Sequence, residues 1–533
     1  MVKPGIDFIA IIFALFKLGA VPVMIDPGMG VARMLACIRS TDARGFIGVP
    51  IAHAVRVLKR RAFTATRHAV TVGRRWFWRG PTLARLARDA DSAFTITDTN
   101  PSDTAAILFT SGATGPPKGV VYEHAMFHAQ VRTIRDHYAI EPGEVDLPAF
   151  PLFALFSTAM GMTCVIPDID PSHPARANPA HIVEAVQDHH VTNTFGSPAI
   201  WSRVAGYCAD RGITLPTLRR VLIAGAPVQP DVVERMRRAL PPGADLHTPY
   251  GATESLPATS ISGTELLDGC LDRTRNGDGI CVGRPVAGVT VRLIRVTDDP
   301  IARWSDDLVL PDGDIGEIAV AGDVVTKTYY ELPRADALAK IHDPGAARVW
   351  HRIGDLGYRD ADGRIWMCGR KAHRVHTATG MMCTVRCEAV FNAHPAVARS
   401  ALVGIGPPPR QRPVIIIEPE SHARGDARAD PHASTDPESA RRGAASEKPQ
   451  APRRAAAAGG SQASRRGHTR RRGRMSRRAR AALLRELHDT AERHDLTRPI
   501  RDVLFHESLP VDIRHNAKIN REALTDWAAK QLR

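Results

Sequence analysis

An apolar run, Ala105-Ala-Ile-Leu-Phe109, passes directly into Thr110-Ser-Gly-Ala-Thr-Gly-Pro-Pro-Lys-Gly119. The run has the composition of a buried strand, and it ends where three glycines and three hydroxyl residues begin. Such a loop can turn backbone N–H groups and hydroxyls toward phosphate oxygens, and Lys118 adds a point charge. It is not a Walker A loop, which needs Gly-x4-Gly-Lys-Ser/Thr followed by a helix. The bland alternative is a surface turn rich in Gly, Ser and Pro. Ten specified residues straight after a strand make that the weaker reading.

The surrounding chain sets the fold class. From about 101 to 370, strand-like runs such as Val191–Phe195, Arg220–Ala224, Val289–Ile294 and Ile315–Val320 alternate with amphipathic stretches at His181–Gln187 and Asp231–Arg237. This predicts α/β layers with partly parallel sheets. At 533 residues the chain is too long for one core. Residues 1–370 read as a large N-terminal domain of layered α/β subdomains, and 371–533 as a small, mobile α+β domain. Residues 420–478 interrupt the second with Ala, Arg, Ser, Gly and Pro and almost no large apolar side chain, a composition expected to be disordered. The helical period resumes at Arg478-Ala-Arg-Ala-Ala-Leu-Leu-Arg-Glu-Leu487.

The formal charge of +15 invites a nucleic-acid reading. The 420–478 segment holds fifteen Arg or Lys against six Asp or Glu, so the basicity reads as one segment and not as a folded face. It lacks interleaved aromatics and supports non-specific contact at most. Eight cysteines without a paired framework imply reduced thiols, and Cys383 with Cys387 lacks the partners of a zinc site. The apolar run Phe8–Phe16 stops at Lys17, too short to span a bilayer, and has neither a basic leader nor a cleavage site. It reads as a buried helix, followed after a Gly stop by a short buried strand. A cytoplasmic location is expected, with at most peripheral membrane contact.

Three stretches in order carry a resemblance. The loop at 110–119 resembles the phosphate-binding motif of the adenylate-forming superfamily, which holds acyl-CoA synthetases, peptide-synthetase adenylation domains and luciferases. Tyr250-Gly-Ala-Thr-Glu254 resembles the motif whose Tyr stacks on adenine and whose Thr-Glu pair meets phosphate and Mg²⁺. Arg352-Ile-Gly-Asp-Leu-Gly-Tyr358 through Asp362–Arg370 resembles the ribose motif and hinge. The resemblance implies ATP and Mg²⁺ as cofactors. It implies an ATP/AMP site of Thr110, Ser111, Gly112, Ala113, Thr114, Gly115, Lys118, Gly225, Ala226, Pro227, Tyr250, Gly251, Thr253, Asp355 and Arg370. Glu254 would hold the metal through the phosphates, since a carboxylate beside a triphosphate needs a divalent cation between them. Residues 371 and 372 would mark the swivel. Lys518, in Leu509–Lys518, stands where the family carries its catalytic lysine, although Asn516-Ala517 replaces the usual Ser-Gly. Lys518, Lys118 and Glu254 are thus the expected catalytic groups. The family normally has several tens of residues before Met1, so a truncated first subdomain is expected.

Finer features narrow the resemblance. Phe150-Pro-Leu-Phe-Ala-Leu-Phe156 carries Ala154 at about the position of a family His. With Pro167–Asp170 and Pro510–Lys518, it resembles the β-lactone synthetases of bacterial long-chain olefin biosynthesis. That implies activation of a long-chain 2-alkyl-3-hydroxy acid, attack by its own 3-hydroxyl, and partnership with other enzymes of the olefin pathway. Gly196-Ser-Pro198 then reads as a turn lining the acyl pocket and not as a hydrolase elbow, lacking Gly-x-Ser-x-Gly. A long-chain fatty-acid–CoA or acyl-AMP ligase, in which CoA would be the acceptor, stays open, as do an inactive homologue and a basic RNA- or membrane-surface binder.

Overall fold

A computed structural model describes residues 1–90, 93–110, 116–170, 173–420, 476–511 and 519–533. Residues Ser111 to Gly115, the stretch 421–475 and Lys518 therefore lie outside the described residues.

The apolar runs become strands close to where periodicity put them. Thr104–Thr110 lies between Val23–Ile25, its parallel partner, and Lys118–Glu123, its antiparallel one. A second sheet has twelve strands. Its parallel part joins Asp245–Ala252, Arg220–Ile223, Asn193–Gly196, Val145–Pro148 and Thr163–Cys164. Its antiparallel part runs from Ser255–Ser262 through Ile280–Pro285, Ile365–Arg370 and Arg348–Arg359 to Gly316–Gly322 and Val289–Ile294, with Lys340–Asp343 alongside. The partly parallel α/β class is as expected. Its helices start where chemistry favours them. Pro179–Asp188 opens with Pro at the first turn, and the Asn178 side chain accepts from the Ala180 amide. The main core under this sheet includes Trp201, Leu147, Ile200 and Met236, all buried.

After residue 375 a further three-stranded sheet packs Val397–Ile405 and Arg412–Pro419 antiparallel, and Asp502–Phe505 parallel to the latter. Helix Arg477–Arg493 lies in the crossover between the two parallel strands, capped by Ser476. It begins inside the stretch that composition assigned to the insert, because Leu483, Leu487 and Ala491 find a core against Phe391, Ile415 and Ile417.

Three expectations need correction. Helix Ile6–Lys17 buries only Ile11 and Ile12, and Ile6 is 82% exposed. The strand Val23–Ile25 is half-buried, because among the described residues it is an edge strand paired only with Thr104–Thr110. Basicity is also not confined to 420–478. Residues 43–88 hold eleven Arg or Lys and no Asp or Glu, and ten of those eleven side chains belong to exposed residues. Among the described residues no helix is long and apolar enough to cross a membrane. All eight cysteines are free, and seven are buried.

Candidate active site

Strand ends and turns bring the candidate residues to one cleft of about 3230 Å³. Thr110 and Lys118 face each other as the last ladder pair of their hairpin, so the connecting loop stands on paired feet. Ser111, Gly112, Ala113, Thr114 and Gly115 themselves lie outside the described residues.

Asp245–Ala252 carries Tyr250 into the cleft. The ladder shifts register between Tyr250 and Ala252, and Gly251 sits at that shift. A Cβ on Gly251 would stand 2.3 Å from the Ser255 carbonyl oxygen, so this turn admits no side chain. The Tyr250 hydroxyl donates to Asp355 Oδ2 at 2.7 Å. Burial, and then the Asp355 carboxylate, hold the phenol well above its ordinary pKa, so it stays a donor. Asp355 is buried and is the direct ladder partner of Arg370, whose Nε lies 3.1 Å from Oδ1. The Asp355 carboxylate in turn raises the Arg370 pKa. Tyr250, Asp355 and Arg370, far apart in sequence, are thus joined by a hydrogen bond and an ion pair into one unit. Gly225, Ala226 and Pro227 line the same cleft after strand Arg220–Ile223, with Gly225 at φ +95°.

Thr253 and Glu254 follow on the turn. The Tyr122 hydroxyl donates to the Thr253 carbonyl oxygen, and the Thr326 amide donates to that of Glu254 at 2.9 Å. Tyr329 donates to Glu254 Oε1 at 2.7 Å. The Lys118 ammonium lies 5.0 Å from the Tyr329 ring centroid, and that of Lys340 lies 5.5 Å from it. Lys340 is buried and donates to the Thr326 carbonyl and hydroxyl oxygens at 2.5 and 3.1 Å. Burial pulls its pKa down to about 8, against the attraction of Glu254 and Asp336. Tyr122, Tyr329 and Lys340 escaped sequence reasoning. Their partners lie up to 131 residues away, and no local pattern marks them.

Among the described residues no cluster of three His, Cys, Asp or Glu could hold a metal. Glu254 is a single carboxylate beside Lys118, which suits Mg²⁺ carried by phosphate oxygens and water and not a protein cage. Away from these groups the cleft turns apolar, with Phe16, Phe127, Phe150, Phe153 and Phe156 on its walls. Ala154 is fully buried. Ser197 lines the cleft at the start of helix Pro198–Arg211, as expected of a strand-end turn. Lys518 lies outside the described residues, although Pro510 and Val511 just before it line the cleft.

Comparisons with known proteins place the whole chain among related sequences and folds. The chain is 44% identical over 535 residues to an olefin beta-lactone synthetase of Xanthomonas campestris pv. campestris, covering all of this chain and 86% of that one. It is 43% identical over 541 residues to an olefin beta-lactone synthetase of Stenotrophomonas maltophilia, with the same coverage. Among solved structures, the amide bond synthetase McbA from Marinactinospora thermotolerans superposes with a TM-score of 0.71 at 22% identity, over 99% of this chain and 89% of that one. The family model of the AMP-binding enzymes matches residues 1–330, the span that holds Thr110, Lys118, Tyr250 and Glu254, and the chain belongs to that family.

Proposed function

We propose that the protein uses ATP to convert a long-chain 2-alkyl-3-hydroxy acid into its acyl-adenylate and then closes that adenylate to a β-lactone, releasing AMP. The full-length relation to two olefin beta-lactone synthetases carries this reading. The apolar walls at Phe127, Phe150, Phe153 and Phe156 suit an alkyl chain.

In the first step a carboxylate oxygen bonds to the α-phosphorus and the bond to pyrophosphate breaks. Tyr250 and Gly225 to Pro227 would flank adenine, Asp355 would accept from the ribose hydroxyls, and Arg370 would bind the ribose or α-phosphate side. Lys118 would offset phosphate charge, together with the feet and backbone of the loop from Thr110 to Gly115. Glu254 would be the residue that holds magnesium brought in by ATP, and the cation would supply charge neutralisation on the phosphates. Lys518 would reach the carboxyl and α-phosphate oxygens, where charge develops. In the second step the 3-hydroxyl oxygen bonds to the acyl carbon, its proton is lost, and AMP leaves. No side-chain nucleophile is needed, because holding the hydroxyl beside the anhydride makes ring closure unimolecular. Exclusion of water protects the anhydride.

We divide the chain at Arg370. The turn Lys371–His373 follows directly, and the elements beyond it pack round a sheet of their own. Lys371 Nζ is held by Glu317 at 3.0 Å and by the Thr297 carbonyl at 2.9 Å, which would make it the fixed side of a swivel.

The test is incubation with ATP, Mg²⁺ and a 2-alkyl-3-hydroxy acid, with and without CoA, followed by mass analysis. A β-lactone formed equally well in both supports the proposal, and an acid lacking the 3-hydroxyl should stall with little AMP turnover. A CoA thioester formed regardless of the 3-hydroxyl would overturn the lactone step and leave adenylation standing.

A further inference from the structure

The acid-free stretch 43–88 folds as one unit. Parallel strands Gly45–Gly48 and His68–Thr71 carry helix Pro50–Leu58 and a core of Phe46, Ala52, Ala62 and Phe63. Of its eleven cations, among the described residues only Arg85 pairs with a carboxylate, that of Asp89 at 3.2 Å. A cationic surface with almost no carboxylate partners for its charges is suited to a polyanion.

The loop Gly73-Arg-Arg-Trp-Phe-Trp-Arg-Gly80 on this unit shows what kind. Trp78 is its anchor. The indole is buried, donates to Thr71 Oγ1 at 2.8 Å, and stacks on His53 at 5.1 Å. Arg75 Nη1 donates to the Gly80 carbonyl oxygen at 2.6 Å, which closes the loop. Gly80, at φ +113°, would put a Cβ 2.1 Å from the Ala69 carbonyl oxygen, so the loop is seated against the strand. Held in this way, the loop presents Trp76, 52% exposed, and Phe77, 75% exposed, between Arg74, Arg75 and Arg79. Aromatic rings set among arginines match a membrane interface, where rings sit at headgroup depth and cations meet anionic lipid.

An aliphatic neighbour favours lipid over nucleic acid. Ile51, in the first turn of the helix whose His53 stacks on Trp78, is 65% exposed. Hydrocarbon accepts an isoleucine, whereas base stacking requires flat rings. The cleft also reaches this unit, with Phe46, Val49 and Val55 on its lining.

We infer that the face formed by the 73–80 loop and the start of helix Pro50–Leu58, whose His53 stacks on Trp78, docks the protein on an anionic phospholipid bilayer. This docking goes beyond the adenylation reading and does not depend on it.

The test is flotation of the full-length protein with phosphatidylcholine vesicles, with and without phosphatidylglycerol. Binding is expected only to the anionic vesicles, weakening as salt rises. R74Q/R79Q, which leaves the loop-closing Arg75 in place, should partition about twenty-five-fold less well, since each cation at the surface is worth about a factor of five. W76S/F77S should lose about tenfold or more even at low salt. Both variants should keep the wild-type Tm and ATP–pyrophosphate exchange with a water-soluble acid. Brominated lipid should quench part of the wild-type tryptophan fluorescence, a readout that needs no variant. Absent vesicle binding or absent quenching would overturn the proposal. So would variants that float like the wild type, which would assign the binding to residues 421–475. Loss of poly-uridylate binding in these variants with vesicle binding intact would instead make the face a nucleic-acid surface.

Discussion

At Tyr329 one side chain touches three charges that the sequence keeps apart. Its hydroxyl holds Glu254, and its ring lies near the ammonium groups of Lys118 and Lys340. K118A and E254A should each lower ATP–pyrophosphate exchange by about 10²–10³, the usual loss when a charge contact at reacting phosphate disappears. Y329F removes only the hydroxyl that fixes the carboxylate. A net hydrogen bond of about 0.5–1.5 kcal/mol predicts a fall of up to about tenfold in exchange, with little change in Tm. Exchange at the wild-type rate in Y329F would show that Glu254 needs no such hold. Lys340 makes a pH prediction. Below pH 8 both the folded and the unfolded chain carry its proton, and burying that proton costs stability. An unfolded lysine titrates at about 10.4, so between about pH 8 and about pH 10 the unfolded chain binds more protons. Stability from this group then rises with pH. Measured against K340M, the wild type should therefore gain Tm across that window. A constant difference would place the Lys340 pKa near its ordinary value.

Among the elements, what was legible in the sequence was what is contiguous. The strand leading into Thr110, the Tyr250–Glu254 pentapeptide and the strands bearing Asp355 and Arg370 announce themselves by local composition, and they fold about where they were expected. Their meeting in space was legible only through the family resemblance, because hydrogen bonding between Tyr250 and Asp355 spans 105 residues. Burial was less legible. Helix Ile6–Lys17 is apolar nearly all round, which reads as a core helix, yet it buries two residues. Gly251 gives the element-scale test. G251A forces a methyl group against the Ser255 carbonyl oxygen, so the bulge that aims Tyr250 must shift. Overpacking of this kind costs about 1–3 kcal/mol, which should lower Tm and weaken ATP binding together. Thermal shifts with and without ATP check this, and an unchanged ATP response would separate the bulge from the nucleotide.

For the whole molecule, net charge hid a division of labour. Summing over the chain suggested one basic segment, while the acid-free stretch 43–88 disappeared into an acidic remainder. Position along the chain, and then exposure, made it visible. The crossover between Arg412–Pro419 and Asp502–Phe505 is the other large-scale feature. Glu420 is bonded to the Ala396 carbonyl oxygen, and Ser476 caps the next helix, so both borders of 421–475 are anchored to folded structure. Replacing 421–475 with a short Gly-Ser linker should leave ATP–pyrophosphate exchange within about twofold, since loop length enters stability only logarithmically. Loss of folding in that variant would mean the stretch contributes to the C-terminal core. The same anchoring bears on a chain that has been cut. The strand after the crossover stays registered against Arg412–Pro419, with Leu504 and Phe505 packed on the cores of the C-terminal sheet. A chain cut once at a specific protease site engineered between 421 and 475 should therefore migrate as two fragments in SDS but elute as one particle in native buffer. The two pieces could then be expressed as separate genes and would reassemble through that strand pair.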